Sequence, residues 1–141
     1  MLLCLGMVLA CRPRKQDECA IVQARVLEEV RVVDGFHDHL NDAESIVLHS
    51  RRLREVSAGL RALDIHDAGL RAAVQRYHTS IDRLAEAWAQ AAEQQARGLP
   101  DAGTDAGISD FKLVTLIELM SVHSAAVNGA RSGITNACGA H

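Results

Sequence analysis

Histidine has the most obvious capacity for chemistry in this chain, because imidazole binds metals and moves protons near neutral pH. The chain contains seven histidines. Helical di-iron proteins place glutamate and histidine ligands three positions apart, so that both side chains lie on one helix face. Here Glu44 and Glu118 precede His49 and His123 by five positions each, which separates each pair by about 140° around a helix. The local spacing therefore does not predict a metal site.

A haem or metal site with ligands from two different helices remains an alternative. His49 and His123 both fall within stripes of helical spacing, and Met120 is close to His123. Haem-binding bundles hold iron between such ligands on facing helices. Aromatic residues that could pack against a porphyrin are scarce, at 3% of the chain. We therefore expect two core histidines, each at least half buried, and no cofactor, with a haem or metal carrier as the alternative function.

Motifs for catalysis and nucleotide binding are also missing. Phosphotransfer bundles carry His-x-x-Lys-Gly at the phosphorylated turn, whereas His123 is followed by Ser-Ala-Ala-Val. The sequence has no glycine-rich phosphate loop, no Gly-x-Ser-x-Gly motif and no zinc-binding quartet. A net charge of −3 gives no basic patch of the kind that nucleic-acid-binding proteins carry. We expect a protein that is not an enzyme and does not bind nucleic acid.

The chain opens with an uncharged stretch, MLLCLGMVLAC, that ends at Cys11. It is too short to cross a bilayer, which needs about 20 residues, but it has the length of the apolar part of a secretory signal, roughly 7–15 residues. The segment Val8-Leu9-Ala10-Cys11 resembles the lipobox of bacterial lipoproteins. The resemblance implies a signal peptide at residues 1–10 and a lipid on the thiol of Cys11.

The same resemblance implies a location in the bacterial cell envelope, facing the periplasm or the exterior. Residues 11–16 would then form a polar tether between the lipid and the folded domain, and the membrane would be a partner through the anchor. The alternative is a buried N-terminal segment whose cysteines occur by chance.

Two of the four cysteines remain if Cys4 leaves with the signal peptide and Cys11 carries lipid. These are Cys19 and Cys138, near opposite ends of the mature chain. An even remainder in an oxidising compartment predicts a disulfide. The alternative is a pair of unrelated buried thiols.

Apolar stripes of helical period, with no strand pattern, predict an all-α fold. The clearest stripe predicts a helix at about 67–97, and a second predicts a helix at about 42–63 that starts with Asn41 and Glu44 as a capping box. The first stripe consists of Leu70, Val74, Tyr77, Ile81, Leu84, Trp88 and Ala91. The second consists of Ile46, His49, Leu53, Val56, Leu60 and Leu63.

The segment at 98–107 contains the run DAGTDAG and has almost no bulky side chains, so it is predicted to be a solvated linker. The last predicted helix, at about 108–138, carries almost no charge between Lys112 and Arg131. We expect this helix to be buried on more than one side or to face another envelope protein. Gly129 within it is expected to mark a close approach of helix backbones.

A third stripe, from Cys19 to Leu40, predicts a first helix at about 17–34 with a break near 35–41. In four antiparallel helices the first and last residues lie at the same end, which a disulfide requires because its Cα atoms must come within about 7 Å. We therefore expect an antiparallel up-down bundle of four helices in one domain, 17–138. The alternative is three long helices with a bent first helix.

These expectations together indicate a lipid-anchored helical bundle of the cell envelope. Its expected role is structural, or the binding of another envelope protein through the low-charge helix at 108–138.

Overall fold

The structure is a computed structural model, and it describes residues 14–36, 42–97 and 106–139, with the backbone alone for 106–117. Within these residues the protein is an all-α bundle of four helices, as the stripes predict, and contains no strand. The predicted signal peptide, Cys11 and most of the predicted linker lie outside the described residues. The helices are α1 (Arg14–Asp34), α2 (Ala43–Arg61), α3 (Ala68–Arg97) and α4 (Ala106–Gly139).

Two helices begin earlier than the sequence patterns suggest. Helix α1 begins at Arg14, inside the segment expected to be a tether, and α4 begins at Ala106, inside the expected linker. Arginine, lysine and alanine all favour helix, so a helix extends into flanking sequence wherever no proline or cap stops it. The apolar stripes identify the buried part of each helix better than they identify its first turn.

The packing order of the four helices follows from their neighbours. Helix α3 packs against both α2 and α4, and α1 also packs against α2 and α4. Helices α2 and α4 are therefore diagonally opposite in the bundle. Helix α1 ends at Asp34 and α2 begins at Ala43, which confirms four helices rather than three with a bent first helix.

The ends of the chain meet through the predicted disulfide. Cys19 on α1 and Cys138 on α4 are bonded, with Cα atoms 5.8 Å apart and 119 positions between them in sequence. A three-helix bundle would place these two residues at opposite ends, so the bond and the break after α1 are confirmed together.

The core of the bundle is built from the two stripes on α2 and α3. All seven members of the α3 stripe are buried, and the α2 stripe is buried except for Leu63, which is partly buried. Phe36, directly after α1, stacks on Trp88 with ring centroids 3.9 Å apart. This stack fixes the C-terminal end of α1 to α3.

Two serines allow close packing between α2 and α3. Ser50 donates a hydrogen bond to the carbonyl of Ala85 at 2.7 Å, and Ser57 donates one to the carbonyl of His78 at 3.2 Å. Both serines are buried, and a buried hydroxyl is tolerated when it is hydrogen-bonded. Ile65 in the short turn between the helices is also buried and covers that end of the core.

The residue that caps α2 is not the one expected. Asp42 is the N-cap, and its carboxylate accepts a hydrogen bond from the amide of Glu44. The expectation of an Asn41 capping box is therefore wrong for the capping side chain, and Asn41 itself lies outside the described residues. Aspartate and asparagine are about equally good caps, so composition alone does not choose between these neighbours.

Glu18 attaches α1 to the turn between α2 and α3. Its carboxylate accepts hydrogen bonds from the backbone amides of His66 at 3.0 Å and Asp67 at 3.1 Å. The amide of Asp67, followed by that of His66, lowers the pKa of Glu18 below its usual value of 4.5. Hydrogen bonds to the charged form favour ionisation, so Glu18 remains a carboxylate and keeps α1 on the turn.

From Glu118 onward, helix α4 is buried along one side only. Val127 and Ile134 are buried, whereas Val122 is 64% exposed. A Cβ atom added at Gly129 would meet nothing within 4 Å. The expectation of a close backbone approach at Gly129 is therefore wrong within this chain, because this residue lies on the outward face. In the described part of the chain, no helix combines the length and hydropathy that a membrane span needs.

Candidate functional site

Three helices meet at a buried cluster of charged and polar side chains, Glu29, Tyr77 and Arg131, here called the Glu29 cluster. Glu29 on α1 is fully buried. Its Oε2 atom accepts a hydrogen bond from the hydroxyl of Tyr77 on α3 at 2.7 Å and another from Nη2 of Arg131 on α4 at 2.6 Å. A charged side chain in a core is rarely fully buried unless it is paired, and the cation and phenol supply that pairing.

The electrostatics of the cluster keep Tyr77 and Arg131 protonated. Burial, and after it the charge of Glu29, raises the pKa of Tyr77, so the phenol stays protonated and donates. Burial by itself would lower the pKa of Arg131, but the hydrogen bond and the charge of Glu29 outweigh burial and raise it. The arrangement is therefore an ion pair with a neutral phenol donor.

Two atoms of the cluster lack a hydrogen-bond partner among the described residues. These are Oε1 of Glu29 and Nε of Arg131, both buried. Arginine can bind a carboxylate through two parallel hydrogen bonds, but here the pair uses one. The cluster thus carries part of the cost of burying charge without full compensation.

This geometry fits a role in stabilising the bundle better than a role in catalysis. Glu29 has no exposed surface, so a dissolved substrate does not reach its carboxylate in this conformation. Tyr77 has a raised pKa, which makes its phenol a poor acid or nucleophile at neutral pH. The cluster instead joins three helices through one carboxylate.

The Glu29 cluster was not predicted from the sequence, although signals for it were present. Glu29 continues the stripe of Val22, Val26 and Val33 in steps of three and four. A carboxylate at a core position needs a partner, and Arg131 is the cation at the end of the low-charge part of α4. Pairing the carboxylate of Glu29 with the guanidinium of Arg131 would have predicted a contact between α1 and α4.

Both histidines are at least half buried, as the stripes predict. His49 is 5% exposed, and its Nδ1 atom is 2.8 Å from the carbonyl oxygen of Ser45. The ring of His49 also packs edge-on against Phe36, with centroids 5.7 Å apart. His123 is partly buried. Their helices, α2 and α4, are diagonal in the bundle, and no group of three or more His, Cys, Asp or Glu side chains in the described part of the chain could hold a metal.

Replacing His49 by leucine should change the free energy of unfolding by less than about 1.5 kcal/mol, in either direction, as volume-conserving core substitutions usually do. The carbonyl of Ser45 keeps its helical hydrogen bond when the imidazole is lost, so this acceptor stays paired. Urea denaturation of both proteins measures this change. A haem titration tests the alternative function as a haem carrier. A Soret shift in the wild type that disappears in His49→Leu and in His123→Leu would favour that function.

Among the described residues, the Cys19–Cys138 bond and the Glu29 cluster both join α1 to α4. No protein-family model matches this chain, and neither the curated proteins nor the solved structures show a significant similarity to it.

Proposed function

We propose that the protein is a lipid-anchored helical bundle of the bacterial cell envelope that binds another envelope protein or acts structurally, without enzymatic activity. The observation that carries this proposal is the Cys19–Cys138 disulfide. Disulfides persist in oxidising compartments such as the periplasm and are rare in the cytosol. The bond thus supports export, which the lipobox-like segment at Val8–Cys11 also implies.

The position of α1 relates the proposed anchor to the bundle. Cys11 precedes Arg14, the first residue of α1, by three positions. The lipid would therefore be attached near the end of the bundle that contains Cys19, Cys138 and the turn between α2 and α3. Under this proposal that end of the bundle is directed toward the membrane.

The outward face of α4 supports a protein partner. From Ser121 to Asn136 its exposed residues carry no charge, and the exposed side chain of Val122 lies among small ones. Docking on such a face requires little desolvation of charge, and interface centres are depleted in charged residues. The residues of this face are Ser121, Val122, Ala125, Ala126, Asn128, Gly129, Ser132, Thr135 and Asn136.

The Cys11→Ala variant should lose lipid labelling and membrane association together, because the proposed lipid is bonded to that thiol. The measurement is incorporation of labelled palmitate into the expressed protein, followed by separation of membrane and soluble fractions. Cys4→Ala is the matched control, since Cys4 would leave with the signal peptide and its loss should change neither result.

A wild-type protein that takes up no label and stays in the soluble fraction would refute the lipid anchor. Labelling that persists in Cys11→Ala and disappears in Cys4→Ala would place the lipid on the wrong cysteine and refute the assignment of residues 1–10 as a signal peptide.

A further inference from the structure

Helix α1 is attached to the bundle in a different way from the other helices. Its buried side chains are Glu18, Cys19, Val22 and Glu29, of which two are carboxylates and one is a disulfide cysteine. Two large apolar side chains of α1, Ile21 and Leu27, are more than half exposed. By contrast, every buried residue of α3 is aliphatic or aromatic. The apolar packing of α1 consists of Val22 and the partly buried Val26, Val32 and Val33, so covalent and polar contacts supply a larger share of its attachment than they do for α3.

The attachments of α1 are distributed unevenly along its length. Phe36 stacks on Trp88 at the C-terminal end, and the Glu29 cluster lies in the second half of the helix. The N-terminal half is held by the Cys19–Cys138 bond, by Glu18 at the turn, and by Val22 with the partly buried Val26. Surface contacts of Arg14 with His66 and of Lys15 with Asp67 add to these. Breaking the disulfide removes the only covalent one of these attachments.

The other helix joined by the disulfide has independent support at that end. Ile134 of α4 is buried close to Cys138, and α4 packs along α3. Loss of the bond should therefore loosen α1 more than α4.

We propose that the Cys19–Cys138 disulfide is a redox latch that holds the N-terminal half of α1, residues 14–28, on the bundle. Reduction by a dithiol releases this segment, while the Phe36–Trp88 stack and the core of α2, α3 and α4 stay in place. Regions of low local stability open separately from the global core when few apolar contacts hold them. This device would add a redox-dependent state to the bundle, whether or not Cys11 carries lipid.

The reduction balances with a dithiol as the reductant. A thiolate of the dithiol attacks Sγ of Cys138, which is less enclosed than the buried Cys19, and Cys19 leaves as a thiolate. In the resulting mixed disulfide, the second thiolate of the reductant attacks the reductant's first sulfur atom and displaces Cys138 as a thiolate. The reductant becomes a disulfide, and both cysteines become thiols after taking up the two protons that the dithiol lost.

Hydrogen exchange of the full chain, oxidised and then reduced with dithiothreitol, tests the latch. Amides at 18–28 should exchange at least about tenfold faster after reduction, relative to amides at 70–88 of α3 and at 127–134 of α4 in the same sample. Comparison within one sample separates local release from a general loss of stability, which would accelerate exchange in all three regions alike.

The Cys19→Ala/Cys138→Ala variant is the matched control. It should show fast exchange at 18–28 without reductant, and dithiothreitol should not change its pattern. If this variant fails to fold, the comparison of oxidised and reduced wild type still tests the proposal. Equal acceleration in α1, α3 and α4, faster exchange confined to α4, or unchanged exchange at 18–28 would each overturn the proposal.

Discussion

The Arg131→Met variant should lose about 3–5 kcal/mol of unfolding free energy, the usual cost of removing one partner from a buried ion pair. The carboxylate of Glu29 has no exposed surface and would be left buried without the cation that lies 2.6 Å away. Tyr77 would remain as the other donor to the same oxygen, and one neutral donor does not compensate a buried charge. Urea denaturation near neutral pH measures the loss.

Two further variants make this experiment specific. Arg61→Met removes a pair with Asp82 of similar length, 2.7 Å, whose side chains are 59% and 38% exposed, and should cost about 1 kcal/mol or less. The double variant Glu29→Leu/Arg131→Met removes both charges and should recover most of the stability, because apolar replacement of a whole buried pair is often neutral. If Arg131→Met lowers the free energy of unfolding by no more than Arg61→Met does, the Glu29 cluster does not stabilise the bundle.

Loss of the disulfide should lower the free energy of unfolding by about 2–5 kcal/mol. The bond spans 119 positions, and an open chain regains the entropy that this closure removes from the unfolded state. At about 2–4 °C of melting temperature per kcal/mol for chains near this size, Tm should fall by roughly 5–20 °C. Thermal unfolding with and without reductant measures the shift.

The control for the reductant is the Cys19→Ala/Cys138→Ala variant, whose Tm should be low and should not respond to reduction. Peptide mapping without reductant should identify the Cys19–Cys138 peptide pair in the oxidised wild type. Free thiols at both positions after periplasmic expression, or an unchanged Tm on reduction, would contradict the prediction.

Much of the fold could be predicted because its pattern is local. The stripe from Leu70 to Ala91 follows from the 3.6-residue period of a helix, and a helix of that pattern buries the stripe wherever its neighbours lie. A Cys19–Cys138 disulfide was also predicted, because the resemblance of residues 8–11 to a lipobox implies that only these two cysteines remain to pair. The geometry of that bond then favours an even number of helices.

The cluster at Glu29 could not be placed by the same reasoning. Its partners, Tyr77 and Arg131, are 48 and 102 positions away in sequence, and their meeting depends on the order in which α1, α3 and α4 pack. A period of 3.6 residues assigns a face to each side chain, but it does not say which helix covers that face.

The sequence by itself predicted the class of the fold, and it favoured four helices over three and a Cys19–Cys138 bond over free thiols, because helical period and cysteine number are properties of the chain. Only the tertiary structure decided that Gly129 faces outward, that Glu18 binds the turn before α3 and that Glu29 is buried against Arg131. Each of these depends on which surface a neighbouring helix covers. That choice is made by the packing of the whole bundle, since every helix must bury its stripe at once.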